Sequence, residues 1–299
     1  MLTSISERVS LSPETTLGAV SLTVSDLGRT RAFYEEVLGL SGTELGTGVP
    51  ALSVPDGSTL VTLHADASAP ARDPRAPGLF HLAIVMPHRR DLAESLRRLG
   101  AARWPLSGAS DHLVSEALYL NDPDGNGVEL YRDRPRDQWR RDPDGTPQMA
   151  TLRLDLDDLL AESQAGAAPS PRVPAGTRIG HVHLQVSDIP RAEAFYVDAL
   201  GFDPTVRVYP GALFVSAGGY HHHVGLNTWN STGASAAAPG SVGLRSFEVL
   251  VSDPDELHRL GERLSAGAMP VEAADHSTAD ETALTVRDPF GTAVVLRSR

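Results

Sequence analysis

The chain repeats itself, and a repeated unit restricts the possible folds more than any single motif does. VSLTVSDLGRTRAFYEEVLGL, Val20–Leu40, recurs as VHLQVSDIPRAEAFYVDALGF, Val182–Phe202. Val20, Leu22, Val24, Asp26, Phe33, Tyr34, Leu38 and Gly39 all reappear at one constant offset. Each copy reads as an alternating strand, an Asp able to cap a helix, a short amphipathic helix and a Gly at its C′ position. Further strands follow, ending at STLVTLHA in one copy and HHHVGLNTW in the other. A second pair is FHLAIVMPHRRDLAESLRRLGA and FEVLVSDPDELHRLGERLSAGA, each a strand and then a helix with a leucine stripe. Leu92, Leu96 and Leu99 in the first fall at i, i+4 and i+7, as one buried helix face requires. Each of these helices is followed by Asp-His (Asp111-His112, Asp275-His276) and then by DPDGNGVEL or DPFGTAVVL.

The expected fold class is therefore α+β, with four βαβββ modules near residues 15–67, 78–134, 178–229 and 243–298. An N-terminal half (1–134) and a C-terminal half (178–299) flank a Pro-, Arg- and Ala-rich connector, 135–177, whose helical candidate lies around Leu154–Glu162. A chain of 299 residues at 41% hydrophobic content suits two domains with a real core. The absence of cysteine excludes disulfides and thiolate chemistry. No apolar run approaches the roughly 20 residues of a membrane span, and MLTSISERVSLS lacks a signal-peptide core, so a cytoplasmic protein without membrane contact is expected. A net charge of −12 spread along the chain argues against a nucleic-acid partner.

Chemistry concentrates between Asp111 and Leu130. This stretch reads as two strands joined by an Asp-Pro-Asp-Gly-Asn turn, in which Gly125 or Asn126 takes the positive φ. Those strands are expected to carry His112, Tyr119 and Glu129. Strand side chains alternate, so parity assigns faces. In FHLAIVM, Leu82, Ile84 and Met86 pack outward and His81, Ala83 and Val85 face inward. In GVEL, Glu129 points in; in GHVHLQV, His181 and His183 do.

Paired βαβββ modules, the D-x-x-x-x-x-x-FY-x-x-x-LG signature and the DPxGN turn resemble the vicinal oxygen chelate superfamily. That group holds glyoxalase I, bleomycin-resistance proteins and type I extradiol dioxygenases. SGASDHLVSEALYLNDPDGNGVELYRDRPRDQW and GGYHHHVGLNTW resemble its catechol 2,3-dioxygenase branch. The resemblance implies that two modules close their sheets into a cleft, with metal ligands from the first and last strands of each. Its interval G-H-x-x-x-x-V-x-D selects His181 over His183. The counterparts of His181, His81 and Glu129 in modules one and four are Ala19, Ser246 and Val295. Ligands thus survive only in modules two and three. If those two pair, one cleft holds His81, Glu129 and His181, a two-histidine, one-carboxylate set suited to Fe(II) or Mn(II). Modules one and four would then form a metal-free scaffold. The pairing could lie within one chain or across a homo-oligomer.

What the resemblance implies for function is extradiol ring cleavage of a catechol, an aromatic diol, with O₂. It places the acid–base histidine in the last strand of module three, at His222, with His221 and His223 as register alternatives. His112 and Tyr119 would hydrogen-bond the substrate or the oxygen intermediates. The family's fourth ligand position falls near Gly225, which favours an oxygenase over an isomerase. A glyoxalase-type isomerase or lyase and a metal-free binding protein of the bleomycin-resistance type are the alternatives. Tyr34 and Tyr196 are expected in the core, and Trp104, Trp139 and Trp229 are candidates for a pocket wall.

Overall fold

The four repeats fold as four βαβββ modules, each opening on a strand with one apolar and one polar face. The computed structural model describes residues 10–163, 166–267, 270–273 and 283–299. The Asp275-His276 pair and the start of the MLTSISERVSLS stretch lie outside the described residues. Module one comprises β1 (Thr16–Val24), α1 (Leu27–Ala32), β2 (Ser41–Glu44), β3 (Pro50–Ser53) and β4 (Thr59–Ala65). Module two comprises β5 (Gly78–Val85), α2 (Arg89–Ala101), β6 (Gly108–Asp111), β7 (Ser115–Asn121) and β8 (Gly127–Asp133). The connector contributes β9 (Leu152–Arg153) and α3 (Leu156–Ala161). Module three comprises β10 (Arg178–Gln185), α4 (Ile189–Glu193), β11 (Asp203–Val206), β12 (Ala212–Ser216) and β13 (Val224–Asn227). Module four comprises β14 (Gly243–Val251), α5 (Pro254–Ala266), β15 (Val271–Ala273), β16 (Ala283–Arg287) and β17 (Ala293–Ser298).

The repeat signature has a physical reading in each copy. Asp26 accepts the Arg29 amide at 3.0 Å and Asp188 the Arg191 amide at 2.7 Å, so both short helices are capped at the expected residue. Both then widen into a π turn, Phe33–Val37 and Ala194–Ala199, which drives the Phe-Tyr pair inward. Gly39 and Gly201 end them at φ 84° and 94°, a conformation that L side chains rarely adopt. Tyr34 and Tyr196 are fully buried, as expected.

Modules pair out of sequence order, and within one chain. The first sheet runs β15-β16-β17-β14-β1-β4-β3-β2, joining modules one and four. The second runs β11-β12-β13-β10-β5-β8-β7-β6-β9, joining modules two and three. Each seam is antiparallel, β1 on β14 and β10 on β5. The helices cover the outer faces. Leu92 and Leu99 of α2 and Leu257, Leu260 and Leu264 of α5 are buried in one continuous core with Leu82, Ile84, Met86, Val128 and Leu130. The inner faces curl into half-barrels.

Sequence neighbours are tied to each other through the Asp-Pro turns. Asp124, in the turn before β8, accepts bonds from the Ser25 amide, Arg29 and Thr30 of module one. Asp288, in the equivalent turn before β17, accepts the Tyr196 hydroxyl at 3.0 Å. The turn itself is built as expected: Gly125 takes φ 81°, and Asp122 Oδ1 accepts the Asp124 and Asn126 amides, both at 2.9 Å. Module two is thus held by module three along the sheet and by module one at the hairpin tip. The connector is not a passive spacer. Its helix α3 docks on α2, where Arg89 bridges to Asp158 and Glu162, and its earlier part packs Trp139 against Val114 and Tyr220. No helix among the described residues is long and apolar enough to cross a membrane.

Candidate metal centre

Three adjacent strands of the second sheet carry the expected ligands. Ala83 on β5 pairs with Glu129 on β8 on one side and with His181 on β10 on the other. His81 lies one pleat earlier on β5, so all three side chains rise from the same inner face. The small Ala83 side chain leaves the space above it to its neighbours. His81 Nε2 and His181 Nε2 lie 2.9 and 3.0 Å from the same Glu129 Oε2, and 3.4 Å from each other. Ligand bonds of about 2.1 Å at right angles put neighbouring donor atoms about 3.0 Å apart, so this triangle fits one face of an octahedral site. His81, Glu129 and His181 form a group able to hold a metal ion, and all three are buried.

Charge points the same way. Burial alone would raise the Glu129 carboxyl, but the imidazoles of His181 and His81 beside it hold it well below the usual range. Burial pushes His181 down to about 4, only partly offset by Glu129. His183 and His222 are also pushed well below their ordinary value, by burial and by the neighbouring histidines. Near pH 7 the cleft therefore holds an ionised carboxylate among neutral imidazoles, with no protonated His181 to balance it. A buried anion of this kind is costly unless a cation joins it, and neutral imidazoles with a carboxylate are the forms a divalent ion binds. The residues present fit a metal.

His181 reaches this position through a β-bulge. Ile179 pairs with Ile84 and His181 with Ala83, so Gly180 is the extra residue, and it switches the faces of β10. Ile179 goes to the core while His181 and His183 turn inward. A Cβ on Gly180 would sit 1.7 Å from the Tyr131 hydroxyl oxygen. Gly180→Ala is accordingly expected to displace Tyr131 and the bulge, lowering stability by about 1–3 kcal/mol and weakening metal binding. Urea unfolding and metal titration of the variant measure both. Gly225 has a similar reason to lack a side chain: a Cβ there would meet the His183 ring at 2.9 Å. His183 is fixed by Asn227, whose amide donates to Nε2 at 3.0 Å, and it packs on His81 with ring centroids 5.0 Å apart.

The histidine triplet lies just before β13 rather than inside it, correcting the expected strand placement. It is not an exposed strand start; His221, His222 and His223 are all buried. Their partners separate their roles. His223 Nδ1 accepts the Ala217 amide at 3.1 Å, a structural bond. His221 Nε2 lies 2.9 Å from Asp133 Oδ1, and His221 Nδ1 lies 2.8 Å from His222 Nδ1. Burial raises the Asp133 carboxyl, but His221 and Tyr220 more than offset this and hold it below its ordinary value. As a carboxylate it accepts, so His221 donates from Nε2. With the His221 proton on Nε2 alone, its Nδ1 accepts and His222 donates from its own Nδ1. This leaves His222 Nε2 as a lone pair, on a ring tilted against that of His181 with centroids 4.1 Å apart.

His112 follows β6 and precedes β7, a loop position rather than the strand position expected, with Leu113 beside it at φ 68°. Its Nδ1 donates to the Ala150 carbonyl of the connector at 2.7 Å, which leaves Nε2 to accept the Tyr119 hydroxyl, also at 2.7 Å. Tyr119 pairs across the hairpin with Glu129 and its ring lies 5.6 Å from that of His81. Burial and the Glu129 charge keep the phenol well above its ordinary value, hence protonated.

Sequence reasoning missed the support behind these residues. Asp133 Oδ2 accepts the Tyr220 hydroxyl at 2.8 Å, and the Tyr131 and Tyr220 hydroxyls lie 2.7 Å apart. Trp139, from the connector, packs on Tyr220 and His221. Asp133 falls just past the hairpin that drew attention, and only its approach to His221 in space reveals it. Of the three tryptophans, Trp139 and Trp229 reach the cleft, Trp229 through Phe80 and His183. Trp104 packs on Phe33 instead.

The buried histidines make acid stability a direct test of this electrostatic account. His181 falls to about 4 and His223, by burial and nearby His221, to about 3. Between those values and the unfolded value near 6.5 the unfolded chain binds the extra protons, so stability is complete above that value and is lost as pH falls. Each such histidine should remove about 1.4 kcal/mol per pH unit across the window. Urea unfolding of metal-free protein at successive pH values from neutral to mildly acidic measures the slope. A flat profile would mean that these imidazoles take up protons in the folded chain as readily as in the unfolded one.

Comparison with known proteins gives a consistent picture. The model of the Glyoxalase/Bleomycin resistance protein/Dioxygenase superfamily matches residues 16–130 and 178–296. A protein of Bacillus subtilis (strain 168) named catechol-2,3-dioxygenase is 39% identical over 289 residues, covering 96% of this chain and 98% of that protein. Among solved structures, a putative dioxygenase from Bacillus subtilis superposes with a TM-score of 0.65 at 13% identity, over 97% of this chain and 86% of that one. Glyoxalase I from Zea mays superposes with a TM-score of 0.56 at 15% identity, over 95% and 92%. These two structural likenesses concern the fold.

Proposed function

The chain belongs to the Glyoxalase/Bleomycin resistance protein/Dioxygenase superfamily, and on that premise we propose that it is an Fe(II)-dependent extradiol dioxygenase that cleaves the ring of a catechol. The carrying observation is the convergence of His81, Glu129 and His181 on one point, two histidines and one carboxylate. The relative named catechol-2,3-dioxygenase supports the same reading along nearly the whole chain. Gly225, beside His183, offers no fourth side-chain ligand, which favours this chemistry over a glyoxalase-type isomerase.

His81, Glu129 and His181 would hold the ion. Bound there, Fe(II) supplies the redox chemistry that couples a catecholate to O₂. The chain's own residues do the rest. Phe80, Phe214 and Trp229 stack around His183 and His222 and give an aromatic ring an apolar wall. His222 Nε2, left as a lone pair by the bond to His221, takes a proton from a catechol hydroxyl. Asp133 and His221 hold that tautomer. Tyr119, whose own proton goes to His112, presents its hydroxyl oxygen beside the ligand group and orients the substrate.

A two-substrate comparison separates this reading from its family rival. Fe(II)-loaded protein is offered catechol in air and, separately, a glutathione hemithioacetal under argon. Turnover of catechol alone is the expected result. Turnover of the hemithioacetal without oxygen would replace this reading with an isomerase.

A further inference from the structure

A cavity of about 650 Å³ lies in the other half-barrel. Its size falls within the range of roughly 300–1,000 Å³ typical of small-molecule sites. It opens on the inner face of the first sheet, the counterpart of the metal cleft. Ser21 pairs with Ser246 across β1 and β14, just as His183 pairs with His81 across β10 and β5. Val295 pairs with Thr285 in the hairpin where Glu129 pairs with Tyr119. Rings fill the metal cleft; hydroxyls and small side chains leave its counterpart open.

The charge on this wall is not that of an inert scaffold. Arg72, Arg245, Arg287 and Arg297 line it against Asp73 and Glu248, an excess of positive charge in a chain of net charge −12. Both carboxylates are committed. Glu248 accepts the Ala19 amide at 3.0 Å and pairs with Arg297 at 3.1 Å, and Asp73 accepts the Arg75 amide at 2.8 Å. Arg72 is half-buried, donates to the Leu79 carbonyl at 2.8 Å and makes no ion pair among the described residues. Burial lowers its guanidinium from the ordinary value, partly offset by the charges of Asp122 and Asp73. A partly desolvated cation that faces a cavity and forms no ion pair there can receive an anion. Leu79, Val242 and Phe290 supply apolar wall beside it.

We propose that this cavity is a second binding site, separate from the metal centre, for a small organic anion whose carboxylate or phosphate head is held by Arg72. Arg245 and Arg287 draw the anion to the mouth, and its apolar body lies against Leu79 and Phe290. The site does not depend on the reaction proposed for the metal cleft.

Titration calorimetry of the full chain with benzoate, succinate and inorganic phosphate, each against a sodium chloride control, tests it. At least one probe should saturate one site per chain, and which one does distinguishes a carboxylate from a phosphate head. Arg72→Gln should weaken that binding about tenfold or more, and His181→Ala, which alters the other half-barrel, should leave it unchanged. If Arg72→Gln fails to fold by circular dichroism, the exposed pair Arg245→Ser with Arg287→Ser replaces it and should weaken binding severalfold. The proposal is overturned if no probe saturates at millimolar concentration. It is also overturned if the arginine variants bind like wild type, or if His181→Ala abolishes binding and so places it at the metal cleft.

Discussion

His81→Ala and His181→Ala should each remove metal binding and catechol turnover together, although the two residues belong to opposite halves of the chain. Both Nε2 atoms lie within 3.0 Å of one Glu129 oxygen, so neither half owns a site alone. Losing one of three protein ligands leaves two, too few to hold a divalent ion against water at micromolar concentration. Folding should survive, because the first sheet forms the same seam with Ala19 and Ser246 at these positions. Metal content per chain after gel filtration and the far-ultraviolet dichroism of each variant are the measurements. Metal retained by one variant and not by the other would mean that the ligand set is misassigned. Glu129→Gln should behave like the histidine variants, since it removes the charge that offsets the ion.

His222→Ala should do the opposite: keep the metal and lose the rate. The side chain packs against His181 and makes no hydrogen bond or ion pair with Glu129 among the described residues, so the ion should stay. What goes is the lone pair that takes the catechol proton, a contribution of roughly 10²–10⁴-fold in kcat. Asp133→Asn should produce a smaller loss through the same residue, because an amide still reaches His221 but no longer dictates which of its nitrogens carries the proton. Steady-state kinetics with the iron content of each preparation held equal give the answer. A His222 variant that turns over at the wild-type rate would move the acid–base role elsewhere, and His112, bonded to Tyr119, is the next group in line.

The module boundaries were legible because repetition and strand parity are written into the chain. Strands β1 to β4 span Thr16–Ala65 and β10 to β13 span Arg178–Asn227. The out-of-order pairing was legible for a less usual reason. Ala19, Ser246 and Val295 show where ligands have gone, and only one pairing of modules leaves a complete set.

An interval, rather than parity, was needed to choose His181 because His181 and His183 are two residues apart and share the inner face of β10, beyond the bulge at Gly180. The supporting network was not legible. Asp133, Tyr220 and Trp139 come from a strand end, a loop and a connector, and nothing in their spacing announces that they meet. The basic wall of the first half-barrel was not legible either, since only folding gathers Arg72, Arg245 and Arg287 onto it.

The central claim is that the cleft shared by modules two and three joins O₂ to a catechol. Its most direct test is an oxygen-electrode trace of chain loaded anaerobically with Fe(II), with catechol present and the product spectrum recorded in parallel. The account predicts one O₂ consumed per catechol, with the yellow ring-fission product appearing at the same rate. Metal-loaded protein that consumes no oxygen with catechol or its substituted forms would contradict it.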